Sequence, residues 1–466
     1  GPCRLTAAPK RTSARLAGTL TWPRMPRSGS PATTPAMPAR FVPMEVGRAD
    51  ADQPRERLTF SDRVMTVDRR WAWAVALAAV LAAAAAAAAA AMAQSGRPSS
   101  PAPDKQPQAI SLLTLGDWGR RGVLEQTRVA EGMLLEAAAV RGTAPVVAVL
   151  STGDQFYDNG VSSASDRDDD QWQESWRHVY YPSPSRGPLW DADFVGALGN
   201  HDLRGNVEAQ VERHSCTRPA WTMPGRYFQY KACIPGAPGL APASFPSPGC
   251  HGAAAGNGTA ATRSQQLRGA QVHHGCVCVA VIDTTPLLKA MRELPGPQWA
   301  RLRGNCASLD RIAMLHWLNE TLRGFAHGGC ARSLVVGHHP IVSGGEHGGN
   351  PEVGAAILGA MSGVASVYLS GHDHMQQVSA IPLEAAAPAP PLQVVSGAGS
   401  TVRRDSVPAN TSLWTSASPG FGRLTLRKVG PTWLPESFDA TLTLFDVDPK
   451  SDPGTPGRIG WTSSIP

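Results

Sequence analysis

Five apolar runs of strand length each end in a short loop bearing oxygen or imidazole donors. The loops are Gly116-Asp117-Trp118-Gly119, Gly153-Asp154-Gln155-Phe156-Tyr157, Gly199-Asn200-His201-Asp202, Val335-Val336-Gly337-His338 and Gly371-His372-Asp373-His374. In an open α/β sheet, loops at the carboxyl ends of strands converge on one crevice. Donors spread from residue 117 to residue 374 are therefore expected to meet in space, and glycine at the turns lets the backbone bend sharply beside them.

The intervening sequence supports that architecture. Ile110–Leu115 reads as a buried strand, Val123–Val140 as a helix and Val146–Leu150 as a second strand, which makes a βαβ unit. Further strand patterns lie at Phe194–Leu198, Val277–Ile282, Leu334–Val336 and Val364–Leu369, with a helix around Met314, Leu315, Leu318 and Leu322. Strands separated by helices predict a layered α/β domain. Two stretches, Ser162–Asp170 and about 214–274, read as insertions. Alternation from Phe421 to Val447 predicts an edge hairpin, and residues 448–466 read as a C-terminal tail.

Ahead of this domain, residues 1–64 mix Pro, Arg, Ser, Thr and Ala without periodicity, a composition expected of disorder or of sequence outside the native protein. Met65 opens a different text. Arg69-Arg70, a 23-residue apolar run from Trp71 to Ala93 and the exit Ala91-Met92-Ala93 have the layout of a signal peptide. The run is also long enough to cross a bilayer of ~30 Å, so an uncleaved anchor is the alternative for 65–93. Residues 94–107 form a Pro/Ser/Gln linker, and export of the domain from 108 to 447 follows from either reading.

Charge and cysteine usage agree. The whole net charge of +6 resides in residues 1–64, which hold 11 Lys/Arg and 5 Asp/Glu, while the remaining 32 of each sign cancel. A nucleic-acid partner thus has no electrostatic support. Seven of eight cysteines (Cys216, Cys233, Cys250, Cys276, Cys278, Cys306, Cys330) lie in the main domain with no paired C-x-x-C spacing, which predicts disulfides with one thiol left over. Sequons at Asn257, Asn319 and Asn410 are consistent with export.

The donor set is Asp117, Asp154, Tyr157, Asn200, His338, His372 and His374. It holds oxygen and imidazole but no thiolate, which favours iron, zinc or manganese. Weighed singly, an Asp after a strand is commonly a helix cap, His372 and His374 read equally as surface histidines, and of His338 and His339 at most one is expected to point inward. The ordered joint occurrence points instead to a two-metal hydrolase. His273-His274 with Cys276-x-Cys278 reads as disulfide or solvated loop, and Trp172 with Trp176 as helix core.

Together these motifs resemble the calcineurin-like metallophosphoesterase superfamily. Tyr157 in Gly-Asp-x-x-Tyr narrows the resemblance to the purple acid phosphatases. Gly337-His338-His339-Pro340, Glu346-His347-Gly348 and Ile282-Asp283-Thr284-Thr285 are similar to the small, tartrate-resistant type over about residues 108–447. The resemblance implies an αββα sandwich carrying a dinuclear centre, Fe(III) plus Fe(II), Zn(II) or Mn(II). Asp117, Asp154, Tyr157 and His374 would hold one ion; Asp154, Asn200, His338 and His372 would hold the other, with Asp154 bridging. It further implies hydrolysis of phosphate monoesters, small-molecule or phosphoprotein, by an activated water without a covalent phosphoenzyme. His201 and His347 would contact phosphate and protonate the leaving alkoxide. A monomer, secreted, vacuolar/lysosomal or at the cell surface, is expected, membrane-bound only if 71–93 is uncleaved. The alternatives are a phosphodiesterase or phosphoprotein phosphatase of the same superfamily, and a membrane-tethered binding protein without catalysis.

Overall fold

The structure, a computed structural model, describes residues 108–183, 186–215, 217–237, 274–381, 391–403, 411–452 and 454–465. Residues 1–64, 65–93 and 94–107, together with Cys216, Cys250, Asn257, His273 and Asn410, lie outside the described residues. Among the described residues two seven-stranded mixed sheets form, flanked by helices.

The first sheet is built around three parallel strands, β1 (Ala109–Leu115), β2 (Val146–Ser151) and β3 (Asp193–Gly196), with β4 (Ala220–Thr222) at one edge. The second contains β5 (Phe228–Cys233), β6 (Cys276–Val281), β7 (Arg332–Val336), β8 (Val367–Ser370), β9 (Gln376–Ala380), β10 (Leu392–Ser396) and β11 (Ser412–Ser416). Three more strands, β12 (Gly420–Lys428), β13 (Phe438–Asp446) and β14 (Arg458–Ile465), return to the first sheet beside β1.

Strand β6 shows why its sequence is apolar at every position. Val277, Val279 and Val281 join one core cluster, while Cys278, Ala280 and Ile282 face a second with Met314, Leu318, Leu322 and Phe325 of helix Arg311–Gly328. A strand covered on both faces has no polar side to show. That helix is also closed at both ends by its sequence: Asp310 accepts hydrogen bonds from Ile312 and Ala313 N–H, and Gly329 ends it at φ 69°.

Several boundaries differ from expectation for local reasons. The first helix runs Gln126–Val140 rather than from Val123, because Arg121, Gly122 and Leu124 adopt φ of 55°, 73° and 58°, a left-handed backbone that no α-helix accepts. The expected edge hairpin is interior: β12 pairs with β1, and β14 takes the edge within the supposed tail. Strand β14 is largely exposed and rich in Ser, Thr and Gly, so its apolar signal is weak. Part of the supposed insertion is also sheet, since β4 and β5 lie in it and Trp221 is fully buried. Trp172 and Trp176 are core, as read from sequence. Cys233 pairs with Cys276 across β5 and β6, Cys278 pairs with Cys330, and Cys306 is a buried free thiol.

Candidate metal centre

All five donor loops leave the carboxyl ends of parallel strands, β1, β2 and β3 on one sheet and β7 and β8 on the other. The loops are bent hard. Asp117, Asp154 and His372 have φ of 58°, 49° and 70°, a region costly for non-glycine residues and often found at functional sites. Gly371 is required beside them, because a Cβ there would lie 2.4 Å from Asp117 Oδ2.

Alternation along each loop separates chemistry from support. Asp117 turns inward while Trp118 enters an aromatic cluster, edge-on to Phe156, Tyr180 and Phe194 at 5.3–5.7 Å. Asp154 and Tyr157 face the crevice; between them Gln155 bonds Gln210 and Phe156 packs on Trp172.

The seven donors gather into two overlapping groups. In the first, the Tyr157 hydroxyl lies 3.0 Å from Asp117 Oδ1, 3.2 Å from Asp154 Oδ2 and 3.1 Å from His374 Nε2. In the second, His338 Nε2 lies 3.2 Å from Asn200 Oδ1, 3.4 Å from Asp154 Oδ2 and 3.3 Å from His372 Nδ1. Only Asp154 appears in both. All seven are buried, none more than 9% exposed.

Protein atoms alone do not satisfy these groups. Tyr157 has one hydroxyl proton for three acceptors. His338 Nδ1 donates to Thr152 O at 2.9 Å, so in the neutral ring Nε2 presents a lone pair to further acceptors. A cation among them removes both conflicts. The same carboxylates draw positive charge: burial lowers His338, but Asp154 and Asp117 reverse it and lift the imidazole to about 9, so either a proton on Nε2 or a cation beside the neutral ring meets the demand. Burial opposes ionisation of Asp154 as well, yet His338, His201 and His372 hold its carboxyl well below the usual range. Burial, with Asp154 adding to it, raises Asp117 well above that range. Burial and the two carboxylates also keep the Tyr157 phenol well above its ordinary value, while burial depresses His374 to about 3, leaving a free lone pair.

His201 and His347, given catalytic roles in the sequence reading, lie beside the groups. His201 N–H donates to Asp154 Oδ1 at 2.7 Å, its Nδ1 donates to Asp158 O at 2.7 Å, and its ring lies 4.3 Å from that of Tyr157. His347 is exposed and its ring stacks 4.5 Å from His372. His339 is buried and turned onto Thr284 Oγ1, its ring against His372.

Sequence reasoning missed the polar groups that hold the loops. Asp202 accepts from Gly199 N and Gln155 N, tying the Asn200 loop to the Asp154 loop. Thr284 Oγ1 accepts from both His338 N and His339 N. Asp283 beside it is fully buried and paired with Arg226 at 2.5 Å. Arg120 lies 3.7 Å above the Tyr157 ring. Asp202 and Thr284 sit inside motifs already singled out, but nothing in the sequence marks Arg226. Replacing Arg226 by Ala leaves the Asp283 carboxylate unpaired and is expected to cost about 3–5 kcal/mol of stability, measured by urea unfolding. A loss under about 1 kcal/mol would show that the pair does not support this turn.

Two sheets in an αββα sandwich thus carry carboxylate, phenol, amide and imidazole donors at the ends of their strands. In sequence the chain is similar to the purple acid phosphatases. It is 29% identical over 282 residues to purple acid phosphatase 4 of Arabidopsis thaliana, a match covering 60% of this chain and 65% of that protein. It is 27% identical over 277 residues to tartrate-resistant acid phosphatase type 5 of Homo sapiens, covering 58% and 68%. The matches thus span about two thirds of these relatives. No family model matches. Among solved structures, GAP50, titled the anchor in the inner membrane complex of Plasmodium, shares the fold at a TM-score of 0.52 and 20% identity, over 77% of this chain and 88% of that one.

Proposed function

We propose that the chain is an exported acid phosphatase that hydrolyses phosphate monoesters with a pair of metal ions, Fe(III) together with Fe(II), Zn(II) or Mn(II). One observation carries the reading: seven donors from five loops form two groups that share Asp154. Asp117, Asp154, Tyr157 and His374 would hold one ion, and Asp154, Asn200, His338 and His372 the other. A phenolate donor suits the hard Fe(III) ion. When bound, such a pair supplies positive charge to phosphoryl oxygens and acidifies a water molecule.

The side chains do the rest. The His201 Nδ1 bond to Asp158 O fixes the ring so that Nε2 faces the crevice, 3.9 Å from Asp154 Oδ2. Protonated, it holds a phosphate oxygen. His347, exposed beside the His372 ring, gives its proton to the departing alkoxide, a step worth ~10²–10⁴-fold. Attack by water needs no covalent phosphoenzyme.

Two disulfides support an oxidising compartment. Among the described residues no helix is long and apolar enough to cross a membrane, and Trp71–Ala93 lies outside them. We take the catalytic domain to begin near residue 108 and to include β14. Tyr157 weighs against a diesterase or phosphoprotein phosphatase, and retention of all seven donors weighs against a purely tethering protein. The test is hydrolysis of 4-nitrophenyl phosphate and bis(4-nitrophenyl) phosphate by the purified full chain from pH 4 to 8, with metal analysis. Preference for the monoester in acid is expected; preference for the diester, or no turnover with ions bound, would overturn the assignment.

A further inference from the structure

His347 is exposed on the loop from Ile341 to Asn350, yet the loop is pinned at several points. Gln393, fully buried on β10, accepts from Ile341 N at 2.7 Å and Val342 N at 3.1 Å; Gln377, fully buried on β9, accepts from Gly344 N at 3.1 Å. The last anchor sits at His347 itself. Asp373 Oδ1 accepts its backbone N–H at 2.8 Å. Asp373 lies between the proposed ligands His372 and His374, is 1% exposed, and has its other oxygen buried without a partner. Gly345 lies flat on that carboxylate, since a Cβ there would come within 2.2 Å of Asp373 Cγ. Beyond it, Glu346 pairs with Arg403, whose N–H donates to His374 O at 3.0 Å.

Successive residues of one tight loop thus divide their work. His372 and His374 turn toward the donor groups, and Asp373 between them turns toward the His347 loop. Resting on the proposed role of His347 as proton donor, we infer that Asp373 is the positioning residue for His347: it fixes the backbone from which the imidazole reaches the leaving oxygen, and so couples the proton donor to the loop that carries two ligands. A carboxylate accepting a backbone N–H forms a strong charge-assisted bond, and a displacement of about 1 Å at a reacting group can cost ~10²-fold. The other anchors, Gln377 and Gln393, hold the loop's base and leave its tip to Asp373.

The experiment compares the full chain with Asp373→Ala, Asp373→Asn, His347→Ala and the Asp373→Ala/His347→Ala double variant. Each is assayed on an alkyl phosphate, whose leaving group needs a proton, and on 4-nitrophenyl phosphate, whose leaving group does not. Asp373→Ala is expected to lower kcat on the alkyl ester by about 10- to 100-fold, with a much smaller loss on the aryl ester and unchanged metal content. Asp373→Asn keeps an acceptor oxygen and is expected to retain most of the rate. In the His347→Ala background the second substitution should add nothing. Equal losses with and without His347, or loss of ions in Asp373→Ala, would overturn the inference. Hydrogen exchange of residues 343–348 decides it separately: exchange at the His347 amide should accelerate in Asp373→Ala and not in His347→Ala. An inactive wild type would count against the phosphatase reading alone, whereas unchanged exchange in Asp373→Ala would count against the role given to Asp373.

Discussion

Replacing Asp154 by Ala is expected to reduce phosphate-monoester hydrolysis by about 10³-fold or more and to leave the protein without a stable pair of ions. The reason lies in one carboxylate serving two groups. Its Oδ2 is 3.2 Å from the Tyr157 hydroxyl and 3.4 Å from His338 Nε2, while Oδ1 accepts from His201 N at 2.7 Å. Asp117 also reaches the second group, but only through the His372 backbone N–H, which its Oδ2 accepts at 2.9 Å. Losing Asn200 would weaken one group; losing Asp154 would remove a negative charge that both groups share. Since two-metal sites contribute several kcal/mol of transition-state charge stabilisation, losing the pair forfeits at least that much. Kinetics beside metal analysis of Asp154→Ala check this. Two tightly held ions and near-normal turnover in the variant would remove Asp154 from the bridging role.

The second large effect falls on stability. Trp118→Ala is expected to cost about 3–5 kcal/mol, the range for truncating a buried aromatic. Trp118 is fully buried, meets three aromatic rings and donates from Nε1 to Ser151 Oγ at 2.9 Å. It also follows Asp117, whose φ of 58° only a well-packed surrounding can hold. Urea unfolding should show a lower midpoint with an unchanged slope. A shift worth less than about 1 kcal/mol would mean that the aromatic cluster does not brace the Asp117 loop.

The contrast between Trp118 and Arg226 indicates what a sequence reveals. Strands β1, β2, β6 and β7 are legible because they are covered on both faces and therefore mostly apolar. Each donor loop is legible because it follows such a strand and carries glycine where the turn is tight. Buried polar residues are another matter. Gln377, Gln393, Asp202 and Asp373 read as ordinary polar residues until the fold supplies the backbone groups they satisfy. Strands β4, β5 and β14 escaped for the converse reason: short or half-exposed strands amid Gly, Pro and Ser carry little apolar periodicity, and pairing with a neighbour defines them. The start of the first helix was hidden by three left-handed residues, only one of them glycine.

The measurement that bears most directly on the account is the visible spectrum of the purified full chain, taken with metal analysis beside Tyr157→Phe. The phenol sits within 3.2 Å of its three partners, so an iron(III) ion held there would share electrons with it. A broad visible band with about two ions per chain, as a two-metal site requires, is expected, together with loss of that band in Tyr157→Phe. A protein that binds no metal, or a band that survives removal of the phenol, would contradict it.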